Sequence, residues 1–362
     1  MRNVNKILVF TGGGIGDIIM SIPVLRSLGV CFKEAKIDIA ISSRVKDVID
    51  NLIQWHEIIV WDNGMTKKTI TRSLVLNYDL YLRLRRNQYD LLIDLESIET
   101  KQAAYKRFLL YKFINPKRLA GRDTDGRGFF LDYKAKEVLL SHEHEVERRI
   151  AILGALGCDV SNKDISIEIG DEFRKTADNI FKQYGVSDDD FVVGINPNAF
   201  RPTRLWSVNK YILLAKMIRD HYGVKIAIVG GKDDQQIIDR FLCELGNEAA
   251  FALVGLNLMT LAAAVARMDI FVSNDTGPMH IAAAVKTPVV AVFGPENPYR
   301  YQPYLPEKMK RVVFLDDISC RPCTEYQCNR MDCLEPVSVD MVWEQFKLLS
   351  DTLRLGQHGY RL

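Results

Sequence analysis

Long apolar runs are missing from this chain. No stretch reaches the roughly 18 consecutive apolar residues that a membrane-spanning helix needs, so no segment is expected to cross a bilayer. The opening Met1-Arg2-Asn3-Val4-Asn5-Lys6 carries neither the apolar core nor the small-residue cleavage site of a secretory signal. The cytoplasm is the expected location. Low-complexity tracts and internal repeats are absent too. With 48% hydrophobic and 26% charged residues, disordered, collagen-like and coiled-coil classes are excluded. Cysteine is sparse, and Cys31, Cys158 and Cys243 lie in apolar surroundings and read as core thiols.

What is present is a length of 362 residues, which favours two domains that can each bury a core. The net charge of +2 hides an uneven split. The first 150 residues hold 25 Lys and Arg against 19 Asp and Glu, or +6; the remainder hold 23 against 27, or −4. A basic first half fits an anionic partner such as phosphate groups or an anionic membrane face; a solvated surface is the alternative. No nucleic-acid partner is expected.

Short apolar runs alternate with helix-period segments from end to end. Lys6–Phe10, Lys36–Ile41, 57–61 and 89–95 read as strands in the first half, with helices over 18–28 and 44–53. In the second half 191–196, 224–230, 251–255, 269–273 and 288–294 read as strands, and Val208–Tyr222 as a helix. This alternation predicts an α/β protein of two Rossmann-like, doubly wound domains. The boundary is expected within 165–190, and the domains are expected to face each other across a cleft at the carboxyl ends of their strands. A last helix over 339–355 is expected to pack back on the first domain.

Four loops at strand ends carry candidate chemistry. The first is Thr11-Gly12-Gly13-Gly14-Ile15-Gly16-Asp17. Gly12 and Gly14 match a dinucleotide-binding turn, but Asp17 stands where its third glycine should allow close packing. A carboxylate there would repel a pyrophosphate and is a candidate general base; a simple helix cap is the alternative. The second loop, 197–206, contains Arg201 and Arg204, whose forked donors suit a diphosphate, with two solvent-facing arginines as the alternative. In the third, Ser273-Asn274-Asp275-Thr276-Gly277-Pro278-Met279-His280, the N–H groups of Thr276 and Gly277 are expected to face an anion. Asp275 orients that loop, and His280 falls in the first turn of the helix that follows. The fourth ends in Asp233-Asp234, where Asp234 is preferred as a carboxylate for ribose hydroxyls.

These loops resemble those of glycosyltransferase family 9, the ADP-heptose:lipopolysaccharide heptosyltransferases. The most specific part is 273–284, followed by Thr287-Pro288-Val289-Val290-Ala291-Val292-Phe293-Gly294-Pro295. Gly16-Asp17 with Ile22-Pro23, Glu145-Val146-Glu147-Arg148 and Ala155-Leu156-Gly157 add to it. The resemblance implies a GT-B fold with an acceptor-binding domain over 1–175, a nucleotide-sugar domain over 188–337, and a closing helix over 338–362. It also implies inverting, metal-independent transfer of heptose from ADP-L-glycero-β-D-manno-heptose to a lipopolysaccharide core or lipid-linked sugar acceptor. Asp17 matches the family's base, Thr276 and Gly277 its diphosphate-binding residues, and Asp234 its ribose carboxylate. Arg204 replaces a phosphate-binding lysine, and Arg122 matches an acceptor-side cation. A protein heptosyltransferase, or a GT-B enzyme using another nucleotide sugar, is the alternative.

Two further features remain. Cys320, Cys323, Cys328 and Cys333 offer ligand types for a structural Zn or Fe, with disulfides the alternative. The family resemblance also implies such a cysteine group. Residues 106–118 mix five cations with bulky apolar side chains. They suit contact with an anionic inner membrane or a phosphorylated lipid; a packed helix with a cationic rim is the alternative.

Overall fold

Ile7, Leu8 and Val9 are fully buried, which is what an apolar run on both faces demands. They form β1 (Lys6–Phe10), the first strand of a computed structural model that describes residues 4–61 and 77–353. Residues 1–3 and 354–362, including the end of the expected closing helix, lie outside the described residues. The chain divides into two compact units, Met1–Ile165 and Ser166–Leu362.

In the first unit β1 is followed by α1 (Ile15–Cys31), β2 (Lys36–Ile41), α2 (Lys46–Ile49), β3 (Glu57–Val60) and α3 (Tyr78–Arg86). Then come β4 (Leu91–Asp94), α4 (Lys101–Ile114), β5 (Leu119–Thr124), β6 (Tyr133–Glu137) and α5 (Glu145–Ala155). The strands order as β3-β2-β1-β4-β5-β6, every neighbouring pair parallel. The winding reverses between β1 and β4, and ligands of open α/β sheets bind beyond the strand ends at such a point. β5 and β6 were not among the expected strands. Buried Arg122 in β5 and the polar Tyr-Lys-Ala-Lys-Glu of β6 break the apolar pattern that marks a strand.

The second unit runs α6 (Asp171–Gln183), β7 (Val192–Asn196), α7 (Val208–Tyr222), β8 (Lys225–Gly230), α8 (Gln235–Leu245), β9 (Ala250–Val254) and α9 (Leu258–Ala266). It continues with β10 (Ile270–Asn274), α10 (Gly277–Ala284), β11 (Val289–Val292), α11 (Pro298–Tyr301), β12 (Lys310–Val313) and α12 (Val339–Thr352). Its sheet orders as β12-β11-β10-β7-β8-β9, also parallel, with the reversal between β7 and β10. Two apolar clusters cover its faces, one around Trp206, Phe241 and Phe346 and one around Phe181, Phe251 and Phe293.

The division falls earlier than 175–188 because the connecting segment already belongs to the second core. Ile167 N–H donates to the Ala284 carbonyl at 3.3 Å, and Phe181 of α6 packs on Phe251. The buried face of α12, Val342, Phe346 and Leu349, lies in the second unit's own core against α7, β11 and β12.

The lone cysteines differ from expectation as well. Cys31 and Cys158 form a disulfide, and Cys243 is exposed. The disulfide joins the end of α1 to the turn after α5.

Candidate active site

At the reversal point of the first sheet, β1 hands the chain to the glycine turn, and α1 begins with Gly14 at its N-cap. Asp17 lies in the first turn, where the helix dipole favours a carboxylate. Gly14 permits a close approach: a Cβ there would collide with Asp17 Oδ2. Gly12 serves a second carboxylate, Glu96, which follows β4. The Gly12 N–H donates to Glu96 Oε1 at 2.7 Å, and a Cβ would meet the Glu96 carboxyl at 3.0 Å. Gly13 backs onto Ser42, and Gly16 lies inside α1. The turn thus closes around carboxylates.

Arg149, on α5, joins the two acids. Its Nη2 lies 3.0 Å from Asp17 Oδ1, its Nη1 3.3 Å from Glu96 Oε1, and its Nε 3.1 Å from Glu145 Oε1. Nη1 also donates to Ser21 Oγ at 2.7 Å, and that hydroxyl donates to the Asp17 carbonyl. Arg149 is 1% exposed at the side chain and Asp17 35%. Burial works against the charge of Arg149, but Glu96, Glu145 and Asp17 outweigh it and hold its pKa above the ordinary value. The two acids are driven apart. Desolvation, then the charge of Glu96, pushes Asp17 up to about 7, with Arg149 pulling the other way. Glu96 is desolvated too, yet Arg149, the Gly12 N–H and Arg107 keep it below the ordinary carboxylate value. One site therefore holds a carboxyl raised to about 7 beside one held below its ordinary value, the pattern of acid–base pairs.

Arg122 is not placed to meet an acceptor. Its side chain is wholly buried and its fork is taken by Glu137, at 2.6 Å, and by Glu145. It supports the site from behind, since Glu145 also binds Arg149. Glu96 and Arg149 were not foreseen in the sequence, where they lie 84 residues from Gly12 and 132 from Asp17.

The second unit repeats the geometry at its own reversal point. Beyond β7, Arg201 and Arg204 both donate Nη2 to a single oxygen, Glu296 Oε1, the latter at 2.5 Å. Arg204 Nη1 lies 3.3 Å from Asp275 Oδ2. Asp275 follows β10 and is 4% exposed; burial pushes it up to about 6, with Arg204 opposing and Glu296 adding to the rise. Asparagines lock the loops. Asn196 Nδ2 donates to Ser273 Oγ at 3.1 Å and Thr276 Oγ1 at 3.0 Å, and Asn274 Oδ1 accepts from the Trp206 N–H at 3.1 Å. Thr276 is the N-cap of α10 and Gly277 its first residue. His280 is buried in the first turn of α10. Asp234 follows β8, next to β7 in the sheet, and its Oδ2 accepts from the Gly231 N–H at 2.6 Å. Glu296 was also unforeseen; its signal is an acid just after β11, beside the loop of β10.

The expected Zn or Fe site gains no support. Among the described residues no group of three or more His, Cys, Asp or Glu side chains is placed to hold a metal ion. Cys320 and Cys328 are exposed, Cys323 is half-buried and Cys333 is buried.

Two parallel units, each with its polar groups gathered at a strand reversal, are the halves of a GT-B glycosyltransferase. The same fold is seen in a family 9 glycosyl transferase from Veillonella parvula, with TM-score 0.76, 24% identity and 97% and 99% of the two chains covered. It is seen again in E. coli ADP-heptose LPS heptosyltransferase II, with TM-score 0.68, 22% identity and 97% and 99% covered. Residues 78–334 match the model of glycosyltransferase family 9 (heptosyltransferase), and the chain belongs to that family. A lipooligosaccharide heptosyltransferase 2 from Campylobacter jejuni is 25% identical over 351 residues, covering 95% of this chain and 98% of the relative.

Proposed function

We propose that this glycosyltransferase moves heptose from ADP-L-glycero-β-D-manno-heptose to a hydroxyl of a lipopolysaccharide core acceptor, with inversion at the anomeric carbon and Asp17 as general base. The observation that carries the base assignment is the Asp17–Arg149–Glu96 arrangement at the end of β1. It leaves Asp17 reachable and titrating near 7, matched to a base that works near neutral pH. The names of the family and of the relatives supply the donor and acceptor classes.

As the acceptor oxygen forms its bond to the anomeric carbon, the bond to the ADP oxygen breaks and Asp17 takes the hydroxyl proton. The charge growing on the diphosphate is met by Arg201, Arg204 and the N–H groups that open α10, with Asp234 at the ribose. In this mechanism the arginines do the work that a metal ion does elsewhere. Asp17→Ala is expected to lower turnover about 10²–10⁴-fold. ADP affinity should be unchanged, because the nucleotide-holding groups are in the other unit. ADP release from ADP-heptose with acceptor, set beside calorimetric ADP binding, makes the comparison; near-normal turnover would remove Asp17 from the chemistry.

The first unit also carries a surface suited to the inner face of the inner membrane. Tyr105, Leu109 and Phe129 are exposed together, the rings of Tyr105 and Phe129 6.0 Å apart, and Lys101, Lys106 and Lys112 are exposed on the same helix. Exposed aromatics with a cationic rim fit an anionic interface. No helix among the described residues is long and apolar enough to cross a membrane.

A further inference from the structure

The donor pocket proposed for the second unit is already filled by a group of this chain. Arg201 and Arg204 come from a loop after β7; Glu296 comes from a different loop, after β11, 95 residues from Arg201. Both guanidiniums meet the same carboxylate oxygen. Two cations that converge on one oxygen mark a single anion position. The carboxylate there is 13% exposed and lies in a site open enough for the arginines to keep 17% and 27% exposure.

From this we infer that Glu296 is a resident stand-in for the donor diphosphate: it holds the two arginines in place when the site is free, competes with the diphosphate for them, and is displaced when the nucleotide sugar binds. The inference rests on the donor assignment proposed above.

The physical case has three parts. Two neighbouring guanidiniums with no anion between them repel, and a buried unpaired charge is costly, so an internal carboxylate keeps the clamp assembled. A diphosphate brings more charge and more acceptor oxygens than one carboxylate, so it wins the exchange, and Arg guanidiniums suit phosphate oxygens in particular. The backbone around Glu296 is tied down, which leaves the movement to the side chain. Arg321 Nε donates to the Gly294 carbonyl at 2.9 Å, Cys323 N–H to the Pro295 carbonyl at 2.9 Å, and Tyr299 N–H to Asn297 Oδ1 at 3.0 Å.

The exchange has a functional consequence. Donor and product both bind less tightly than the arginines alone would allow, because part of the population holds Glu296 inward. The same competition pulls ADP off after transfer, the step that often limits turnover in enzymes that hold their products tightly. Asp275 cannot take this part. It contacts Arg204, but it is fixed by the strand end and nearly fully buried.

The test is calorimetric titration of ADP and of inorganic pyrophosphate into the full chain, wild type against Glu296→Gln and Glu296→Ala, with Arg204→Ala as reference. Both Glu296 variants are expected to bind ADP and pyrophosphate roughly tenfold to a hundredfold more tightly, the size of one charge-assisted hydrogen bond no longer contested. ADP should also dissociate more slowly in stopped flow. If Glu296 only ordered its loop, both variants would bind more weakly or unchanged, and that result overturns the inference. Binding by the wild type that Arg204→Ala abolishes, without tightening in either Glu296 variant, sinks the stand-in role while leaving the donor assignment intact. No binding by any form up to millimolar ligand sinks the donor assignment, and the inference with it.

Discussion

Asp17 and Glu96 are both carboxylates near the same guanidinium, yet they differ in what their other neighbours supply. Glu96 receives the Gly12 N–H, while Asp17 has the partly open side and the repulsion of Glu96. Only ionised Asp17 can take a proton, so kcat/KM is expected to rise with pH through about 7 and level off above it. Arg149→Lys keeps one charge but loses the fork, and should move that rising limb to higher pH. A pH–rate profile of the two proteins measures the difference. The same shift acts on stability. The folded pKa of about 7 lies above the ordinary 3.8, so the folded state binds this proton more tightly than the unfolded chain does. Ionising Asp17 therefore costs stability, starting near pH 4 and in full above pH 7. Asp17→Asn is expected to melt higher than wild type at pH 8, with the gap closing as pH falls toward 4. Melting curves across that range, showing an equal or lower Tm for the variant at pH 8, would contradict the assignment.

The elements show why these residues stay in place. α1 and α5, which carry Asp17 and Arg149, pack on each other, and the Cys31–Cys158 disulfide joins the last residue of α1 to the turn after α5. The proposed base and the cation that contacts it thus ride on two linked helices rather than on loops. In the second unit α12 takes the corresponding structural load. Phe346 is fully buried between β-strands and α7, with the Trp343 ring 6.0 Å away. Phe346→Ala should cost about 3–5 kcal/mol of that unit's stability, read from denaturant melts. A loss below about 1 kcal/mol would mean that α12 is peripheral to the core.

For the molecule as a whole, charge is less informative than it first looks. The basic excess of the first half is partly internal: Arg122, Arg148 and Arg149 are buried, and Arg107 turns inward to Asp94 at 3.1 Å. Other cations stay at the surface, among them Lys101, Lys106 and Lys112 on the face of α4 beside Phe129. If that face meets lipid, the whole chain should co-sediment with vesicles containing anionic phospholipid and not with neutral ones, and Tyr105→Ser with Leu109→Ser should abolish it. Equal sedimentation with both kinds of vesicle, or none with either, would discount the membrane contact.

The sequence by itself determined the two-unit α/β plan, the ends of most central strands and the loops bearing Asp17, Arg201, Arg204 and Thr276–Gly277. Those features are local: an apolar run, a glycine turn and a helix start follow one another within about a dozen residues, so each is written in contiguous chain. Tertiary structure alone decided which charges meet. Arg149 reaches Asp17 across 132 residues and Glu296 reaches Arg201 across 95, and Arg122 is turned from a candidate ligand contact into a buried brace. A polar side chain's partner is set by where the sheet order brings separate strand ends together, and no spacing along the chain records that.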